Sequence, residues 1–324
     1  MTSSNSRSIF AAFGIMALLQ ACATSNNLRK FDEGDIGREM SEDIAKKFEV
    51  KEIPSATPAP ALGTVAAPQK KVKKKKSSVV TIAPKVIPSR RPDPMPFQVG
   101  EKLKYDVRYV GVTAAHLELS VLPEKQVSDR NVFQIQAKIK TVPFFELVYR
   151  VDDTVNSYWD ADGLFSHRYT MDLDESKQSR KLIELYDYEK NNSFFWNRID
   201  HVEKGFHEQK ETYEIKPWSQ DPLSSIYFMR SVKLPSDPNT EFRFPVILDG
   251  KPWETSVHFL KSERIYAGGK DRDALVYRIE NYQNGELKNR DNTIWISNDE
   301  HHYVLRIETK VKVGSFAVAL DKVL

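Results

Sequence analysis

The side chains able to carry out chemistry are few, and they form none of the familiar catalytic patterns. Ser224 and Ser225 offer two hydroxyl groups, but they open a predicted helix, where serine side chains commonly bind the backbone. The sequence has no Gly-x-Ser-x-Gly elbow, no His-Glu-x-x-His motif and no phosphate-binding glycine loop. We therefore expect a protein that is not an enzyme. The alternative is an unrecognised hydrolase that acts through the two serines.

Two groups of polar residues could be assembled into metal sites. The first combines His201 and His207 with Glu203 and Glu208, and the second runs from Asp299 to His302. Their spacings match no standard ligand pattern, and histidines in polar loops are usually solvated. We expect no metal and no cofactor.

Arg230 and several large rings are the candidates for ligand binding. Arg230 falls on the stripe of the predicted helix that faces the core, where a guanidinium must pair with a carboxylate or line a cavity. The ion pair is the favoured interpretation. Together with Tyr227, Trp218 and Trp253, Arg230 could instead line an apolar pocket inside a curved sheet. Ordinary core packing explains the same rings and is preferred.

Cys22 is the only cysteine of the chain, which excludes an internal disulfide. It follows an apolar run, residues 8–19, that is too short to span a bilayer. The sequence Leu19-Gln20-Ala21-Cys22 resembles the bacterial lipobox, with Gln20 as a less usual middle residue. The resemblance implies a lipoprotein signal peptide over residues 1–21, cleaved before Cys22. The cysteine would then carry a lipid anchor of acyl chains such as palmitate.

The residue after the cysteine indicates the membrane. In lipoproteins of this type an aspartate at that position often retains the protein in the inner membrane, and this chain has Ala23. The resemblance therefore implies the bacterial outer membrane, with the folded domain facing the periplasm. Two or three acyl chains hold a protein at a membrane essentially permanently.

The segment from the anchor to the first predicted strand has two parts. Residues 22–50 contain the lipidated N-terminus and a short amphipathic helix, with Ile36, Met40, Ile44 and Phe48 at a spacing of four. Because isolated helices this short are barely stable, we expect a marginal helix that lies on whatever surface is nearby rather than a specific docking motif. Residues 51–96 hold nine of the seventeen prolines and predict a disordered tether that lets the domain work well away from the membrane.

The tether carries a block of cations. They are Lys70, Lys71, Lys73, Lys74, Lys75 and Lys76. Such a block is attracted to anionic lipid or to a phosphate-bearing cell-wall polymer, although a merely solvated spacer explains it equally well. We expect no nucleic-acid partner, because an exported protein seldom meets nucleic acid.

Beyond Phe97 the sequence predicts strand after strand. From Leu103 to Tyr109 apolar side chains alternate with charged ones, the period of two expected when one face is buried, and the pattern recurs along the domain. Three dipeptides predict tight type I′ turns between antiparallel strands. They are Asp162-Gly163, Asp249-Gly250 and Asn284-Gly285.

One segment breaks the strand pattern. Asp221 as a capping residue and Pro222 at the first helical position predict a helix over residues 221–233. We therefore predict a mainly β domain over residues 97–324. Its architecture is a long curved antiparallel sheet, a spiral or half-barrel, with that one helix packed against it.

Three segments of this domain resemble the bacterial envelope family catalogued as domain of unknown function 3108. They are residues 97–105, residues 221–230, and residues 294–299 running on into Val304 and Gly314. One departure is Ala114-Ala115, where the family often has glycine. The resemblance implies a spiral or half-barrel sheet like those of envelope lipid carriers, and it implies no activity.

The anchor, the tether and the missing catalytic motifs favour a non-enzymatic envelope lipoprotein. We expect it to bind a lipid or protein component of the periplasm or outer membrane inside the curved sheet. The alternative is a structural adaptor that links the outer membrane to the cell wall through the lysine block.

Overall fold

The computed structural model describes residues 28–31, 40–53, 88–310 and 315–324. Cys22, Ile36 and the lysine block at residues 70–76 lie outside the described residues, as does most of the predicted tether. No helix among the described residues is long and apolar enough to cross a membrane.

Strands dominate the described part of the chain, which contains fifteen of them and three helices. The strands are β1 (Lys51–Glu52), β2 (Lys102–Tyr109), β3 (Val112–Val127), β4 (Arg130–Thr141), β5 (Val151–Asp160), β6 (Ser166–Glu175), β7 (Gln178–Asp187), β8 (Asn192–His201), β9 (Gly205–Glu214), β10 (Glu241–Leu248), β11 (Lys251–Ala267), β12 (Lys270–Gln283), β13 (Glu286–Ser297), β14 (Val304–Lys310) and β15 (Ser315–Val323). The helices are α1 (Glu42–Lys47), α2 (Pro143–Glu146) and α3 (Pro222–Ser231).

All fifteen strands belong to one antiparallel sheet. Its order is β10-β11-β12-β13-β14-β15-β2-β3-β4-β5-β6-β7-β8-β9, with β1 attached to β3. The sheet is not closed, because β9 and β10 form its two edges. Since β15 pairs with β2, the first long strand meets the last in the middle of the sheet. The predicted long antiparallel sheet is confirmed.

Buried and exposed side chains alternate along the strands as the sequence predicts. In β2, Leu103, Tyr105 and Val107 are buried, while Lys102 and Lys104 are exposed. Two of the predicted type I′ turns are supported by positive φ at both central residues, Asp249-Gly250 and Asn284-Gly285.

The turn at Asp162-Gly163 is present, but the predicted type I′ was wrong. It does connect β5 to β6, but neither residue has a positive φ, and Leu164 has one instead. The buried Asp160 carboxylate accepts hydrogen bonds from the backbone N–H groups of Asp162 (3.1 Å) and Gly163 (2.6 Å). A side chain therefore shapes this turn in place of the glycine.

Helix α3 fills the concave face of the sheet. It begins with the predicted cap at Asp221 and ends at Ser231, two residues before the predicted end. All ten of its residues are buried, and it contacts β4 and β5 on one side and β10 on the other. The sheet thus wraps around a helix that has no exposed face.

The outer face of the sheet is covered in part by residues from the N-terminal region. The Phe48 side chain, 2% exposed, packs with Ile183, Leu185 and Trp196, and Met40 and Ile44 join the same cluster. Helix α1 therefore lies against the neighbouring surface of the sheet. The reason is an apolar patch on this face, opposite the face that α3 covers, which the stripe of α1 buries.

The strands run between two rims. The first, named the α2 rim, holds the β2–β3 turn, α2, and the β6–β7 and β8–β9 turns, because successive strands are antiparallel. Residues 28–31 lie at this rim, where the Arg29 N–H donates to Asp200 (3.0 Å) and its carbonyl accepts from Ser179 (2.5 Å).

The flanks of the predicted tether lie at the opposite rim. Lys51 in β1 pairs with Gln126 at the end of β3. The Arg90 N–H donates to the Asp162 carbonyl (2.8 Å) in the β5–β6 turn. Both ends of the segment 51–96 therefore belong to the folded domain, and residues 54–87 lie outside the described residues.

Candidate functional site

Arg230 forms the centre of a buried ionic cluster, here named the Arg230 junction. Its guanidinium, 1% exposed, donates to both carboxylate oxygens of Glu101, at 2.6 and 2.8 Å. It also donates to the carbonyls of Pro96 (3.3 Å) and His301 (3.1 Å). The structure therefore pairs Arg230 with a carboxylate, which is the interpretation that the sequence favours.

Rings enclose the guanidinium on several sides. Its carbon lies 4.9 Å from the ring centroid of Tyr227 and 5.5 Å from those of Phe97 and Tyr303. Burial alone would lower the pKa of Arg230, but the hydrogen bonds with Glu101 outweigh it, so the pKa is raised. The side chain therefore remains charged, and the junction is a fixed ion pair rather than a switch.

The three segments that resemble the known family meet around α3. The first contributes Phe97 and Glu101, the second is α3 itself, and the third leads into the turn that contains His301. The His302 Nδ1 lies 2.7 Å from the Arg230 carbonyl oxygen. Distant parts of the sequence thus share one contact network.

At its start, α3 is held by a second polar network. The Asp221 carboxylate accepts from the backbone N–H groups of Leu223 (2.9 Å) and Ser224 (2.7 Å). Its other oxygen accepts from the hydroxyls of Ser157 (2.5 Å) and Ser166 (2.7 Å). Every lone pair of this buried carboxylate is thereby used for helix capping and sheet contact.

The two serines considered as nucleophiles are both engaged by the helix. The Ser224 hydroxyl accepts from the Asp221 N–H (2.9 Å) and donates to Gln220 (3.0 Å). The Ser225 hydroxyl donates to the Pro222 carbonyl (2.8 Å). Both hydroxyls therefore bind groups of the helix and of the residue before its cap.

A small cavity lies between α3 and the β10–β14 half of the sheet. Its volume is about 30 Å³. Its lining consists of Pro222, Ser225, Ile226, Met229, Phe244, Thr255, Ile279, Asn292, Thr293, Ile294 and Ile307. Pockets for drug-sized ligands measure about 300–1,000 Å³, so this space suits water molecules rather than a lipid.

None of the four residues considered for a pocket lines this cavity. Tyr227 and Arg230 lie in the Arg230 junction. Trp218 packs edge-on against Phe165, 5.4 Å between ring centroids, and Trp253 packs against the main core while partly exposed. The structure brings two of the four together and leaves the tryptophans elsewhere.

The polar groups considered as metal sites form turns. Asp299 accepts hydrogen bonds from the Ser297 hydroxyl (2.6 Å) and from the His301 and His302 N–H groups (3.1 and 3.2 Å). The His201 Nδ1 accepts from the Glu203 N–H (3.1 Å). Within the described ranges no three histidine, cysteine, aspartate or glutamate side chains are grouped to hold a metal ion.

The family of this domain follows from a comparison with known protein families. Residues 104–321 match the family described as "Protein of unknown function (DUF3108)". The chain belongs to the DUF3108 family. The match covers strands β2 to β15 together with α3, so the resemblance seen in the sequence is confirmed.

Among curated proteins, no relative matches this DUF3108 chain. Solved structures similar to it include a β-barrel-like protein of the DUF1849 family from Brucella abortus, at 11% identity and a TM-score of 0.40, covering 69% of this chain and 97% of that one. A candidate exported protein with a YmcC-like fold from Bacteroides fragilis is 9% identical with a TM-score of 0.32, covering 71% and 98%. A candidate lipoprotein from Parabacteroides distasonis is 10% identical with a TM-score of 0.30, covering 70% and 96%. These scores are too low to support an argument about function.

The DUF3108 domain also buries a pair of carboxyl groups on β5 and β6. Asp153 and Glu175 are each 1% exposed, and one carboxyl oxygen of each, Asp153 Oδ2 and Glu175 Oε1, has no hydrogen-bond donor beside it. The Tyr149 hydroxyl donates to Glu175 (2.5 Å). Burial and the neighbouring Glu175 raise the pKa of Asp153 to about 9, and burial also raises the pKa of Glu175. A proton shared by the pair is therefore retained at neutral pH.

The carboxyl pair predicts a pH dependence of stability. Because the pKa of Asp153 is raised from 3.8 to about 9 on folding, its stabilising contribution is complete below the lower value and is lost as pH rises toward the upper one. Asp153→Asn should remove this loss of stability at rising pH. The asparagine amide can donate to Glu175 without taking up a proton. We expect the free energy of unfolding of the variant to fall less steeply between pH 5 and 9, by up to about 1.4 kcal/mol per pH unit.

Chemical denaturation at a series of pH values measures the slope. Asp271→Asn is the matched control, because Asp271 is exposed on β12, is not among the groups that raise the pKa of Asp153, and should leave the slope unchanged. Equal slopes for Asp153→Asn and the wild type would contradict the shared proton.

Proposed function

We propose that this protein is a non-enzymatic, lipid-anchored protein of the bacterial envelope whose β domain binds its partner with its outer surface. The observation that carries the proposal is the filled interior. All ten residues of α3 are buried inside the curved sheet, and the cavity beside it measures about 30 Å³. This cavity is far too small for a lipid.

The polar chemistry of the interior supports a binding role over catalysis. The best-placed hydroxyl, on Ser224, serves the cap of α3, and the best-placed cation, Arg230, is neutralised by Glu101. Both networks hold the helix in the sheet. The outer surface then remains for contact with a lipid or protein component of the periplasm or outer membrane.

The anchor is tested by replacing Cys22. We expect the wild type to stay in the membrane fraction after an alkaline carbonate wash, because two or three acyl chains bind essentially permanently. The variant Cys22→Ser should be released by the same wash. Mass spectrometry of the wild-type N-terminus should find acylated Cys22, and Ala23→Asp is expected to move the protein from the outer to the inner membrane.

Retention of Cys22→Ser after the carbonate wash would refute the anchor. The surface-binding part has a separate test in native mass spectrometry of the domain purified from its own host. The expected mass is that of the chain alone, and a lipid retained in stoichiometric amount would refute it.

A second function, an adaptor between the outer membrane and the cell wall, is favoured by the position of the lysine segment. Its described flanks, residues 51–53 and 88–91, are both fixed at the opposite rim, away from the α2 rim where residues 28–31 lie. Replacing the six lysines of residues 70–76 by glutamine should release the protein from sedimented cell wall. Unchanged sedimentation would eliminate this function.

A further inference from the structure

Large apolar side chains are exposed on the α2 rim. Val110, Val112, Phe144, Leu147 and Val148 are each 55–86% exposed. They are referred to together as the apolar tip. Single exposed apolar residues are common on protein surfaces, but a contiguous group of this kind marks an interaction surface.

The backbone places the five residues side by side. Val110 and Val112 belong to the turn between β2 and β3, in which Tyr109 pairs with Val112. The Val142 N–H donates to the Ala114 carbonyl (3.0 Å), which fixes the start of α2 beside that turn. Phe144 and Phe145 stack edge-on within the tip, 5.5 Å between ring centroids. The tip therefore lies at the rim of the sheet, where α2 and the β2–β3 turn are neighbours.

Charged residues near the tip are largely paired with one another. Lys140 lies 3.5 Å from Asp152, Arg150 lies 2.6 Å from Asp174, and Arg108 lies 2.9 Å from Asp106. Glu146 of α2 adds a further negative charge that acts on Arg150, so three cations face four carboxylates and the net charge around the apolar side chains is small. The tip consequently suits an apolar medium bordered by polar groups of both signs, as at the headgroup boundary of a bilayer.

The chain approaches the proposed anchor from the same rim. Arg29 is hydrogen-bonded to Asp200 beside the β8–β9 turn, and the Phe31 ring lies 6.0 Å from that of Phe206. Cys22 precedes Leu28 by six residues, which reach at most about 20 Å when fully extended. A lipid on Cys22 therefore holds the α2 rim near the bilayer, in place of the long separation that the tether predicts.

We propose that the apolar tip inserts into the phospholipid surface and fixes the domain with its α2 rim against the membrane. The proposal rests on the proposed function for the anchor and for the membrane it occupies. The tip itself binds reversibly, because partitioning scales with the apolar area buried and five side chains bury far less than acyl chains.

The test uses the mature chain, residues 22–324, with Cys22→Ser. This variant has no cysteine, so a single one can be introduced at the tip by Leu147→Cys or at the opposite rim by Tyr266→Cys, where Tyr266 is 73% exposed. Each is labelled with the fluorophore NBD and mixed with vesicles of phosphatidylethanolamine and phosphatidylglycerol. We expect the emission from position 147 to rise and shift to the blue, with quenching by brominated lipid, and no change at position 266.

Vesicle flotation of unlabelled protein supplies the energetic test. The triple variant Phe144→Ser, Leu147→Ser, Val148→Ser should bind at least about tenfold more weakly, because insertion depends on apolar area. The matched control, Val99→Ser with Tyr266→Ser, should bind like its parent.

Unchanged emission from the probe at position 147, or an equal loss of vesicle binding in the triple variant and its control, overturns the proposal. Either result would indicate a protein partner for the tip. These outcomes are independent of the carbonate wash of the lipidated protein. Failure of the tip and failure of the anchor are thus distinguished.

Discussion

Replacing Arg230 by methionine is expected to lower the free energy of unfolding by about 3–5 kcal/mol, because it leaves the Glu101 carboxylate buried without its partner. Glu101 is 9% exposed, and the guanidinium supplies both of its short hydrogen bonds. The carbonyls of Pro96 and His301 lose a donor as well. Guanidinium chloride denaturation measures the change in the midpoint.

A double-mutant cycle separates the ion pair from simple loss of packing. In Arg230→Met with Glu101→Gln the unpaired charge is gone, so the double variant should be more stable than the two single effects added together predict. Arg243 provides the control, because it pairs with Glu241 and Glu254 at the surface. Arg243→Met should cost no more than about 1 kcal/mol. Strict additivity in the cycle would contradict the buried pair.

The second large effect is expected at Gly250, in the turn between β10 and β11. A Cβ atom there would lie 2.6 Å from a ring carbon of Phe195 and 2.6 Å from one of Tyr213, and the residue has a φ of +67°. Gly250→Ala therefore combines backbone strain with overpacking, and we expect a loss of about 2–4 kcal/mol in thermal or chemical denaturation.

Gly285 is the matched control for this substitution. It occupies the same position in the Asn284-Gly285 turn with a φ of +79°, but no atom lies within 4 Å of the added Cβ. Gly285→Ala should cost only the backbone strain, about 1–2 kcal/mol. Similar losses at the two glycines would show that the β10–β11 turn does not press against β8 and β9.

The alternation of apolar and polar residues in the sequence predicts buried carboxylates as well as strand positions. Glu101 is in phase with Leu103 and Tyr105, which face inward, and Asp153 is in phase with Val151 and Val155. Carboxylates in phase with apolar residues are thus predictable as buried. This signal could have found both candidate clusters from the sequence.

The partners of these carboxylates could not be predicted in the same way. Alternation tells which face a side chain occupies, but the neighbour of each strand depends on pairing between distant segments. The order that places β15 beside β2, and the meeting of Glu101 with Arg230, both depend on such pairing. The surface on which Phe48 packs could not be predicted for a related reason, since it is an apolar patch contributed by β3, β4, β7 and β8.

The pairing of β2 with β15 has a consequence for biogenesis. Leu103 pairs with Val323, so β2 is synthesised well before its neighbour β15. Until then β2 presents an unpaired edge, the kind of surface that promotes aggregation. We expect folding to be slow, because pairing β2 with β15 closes a loop of about 220 residues.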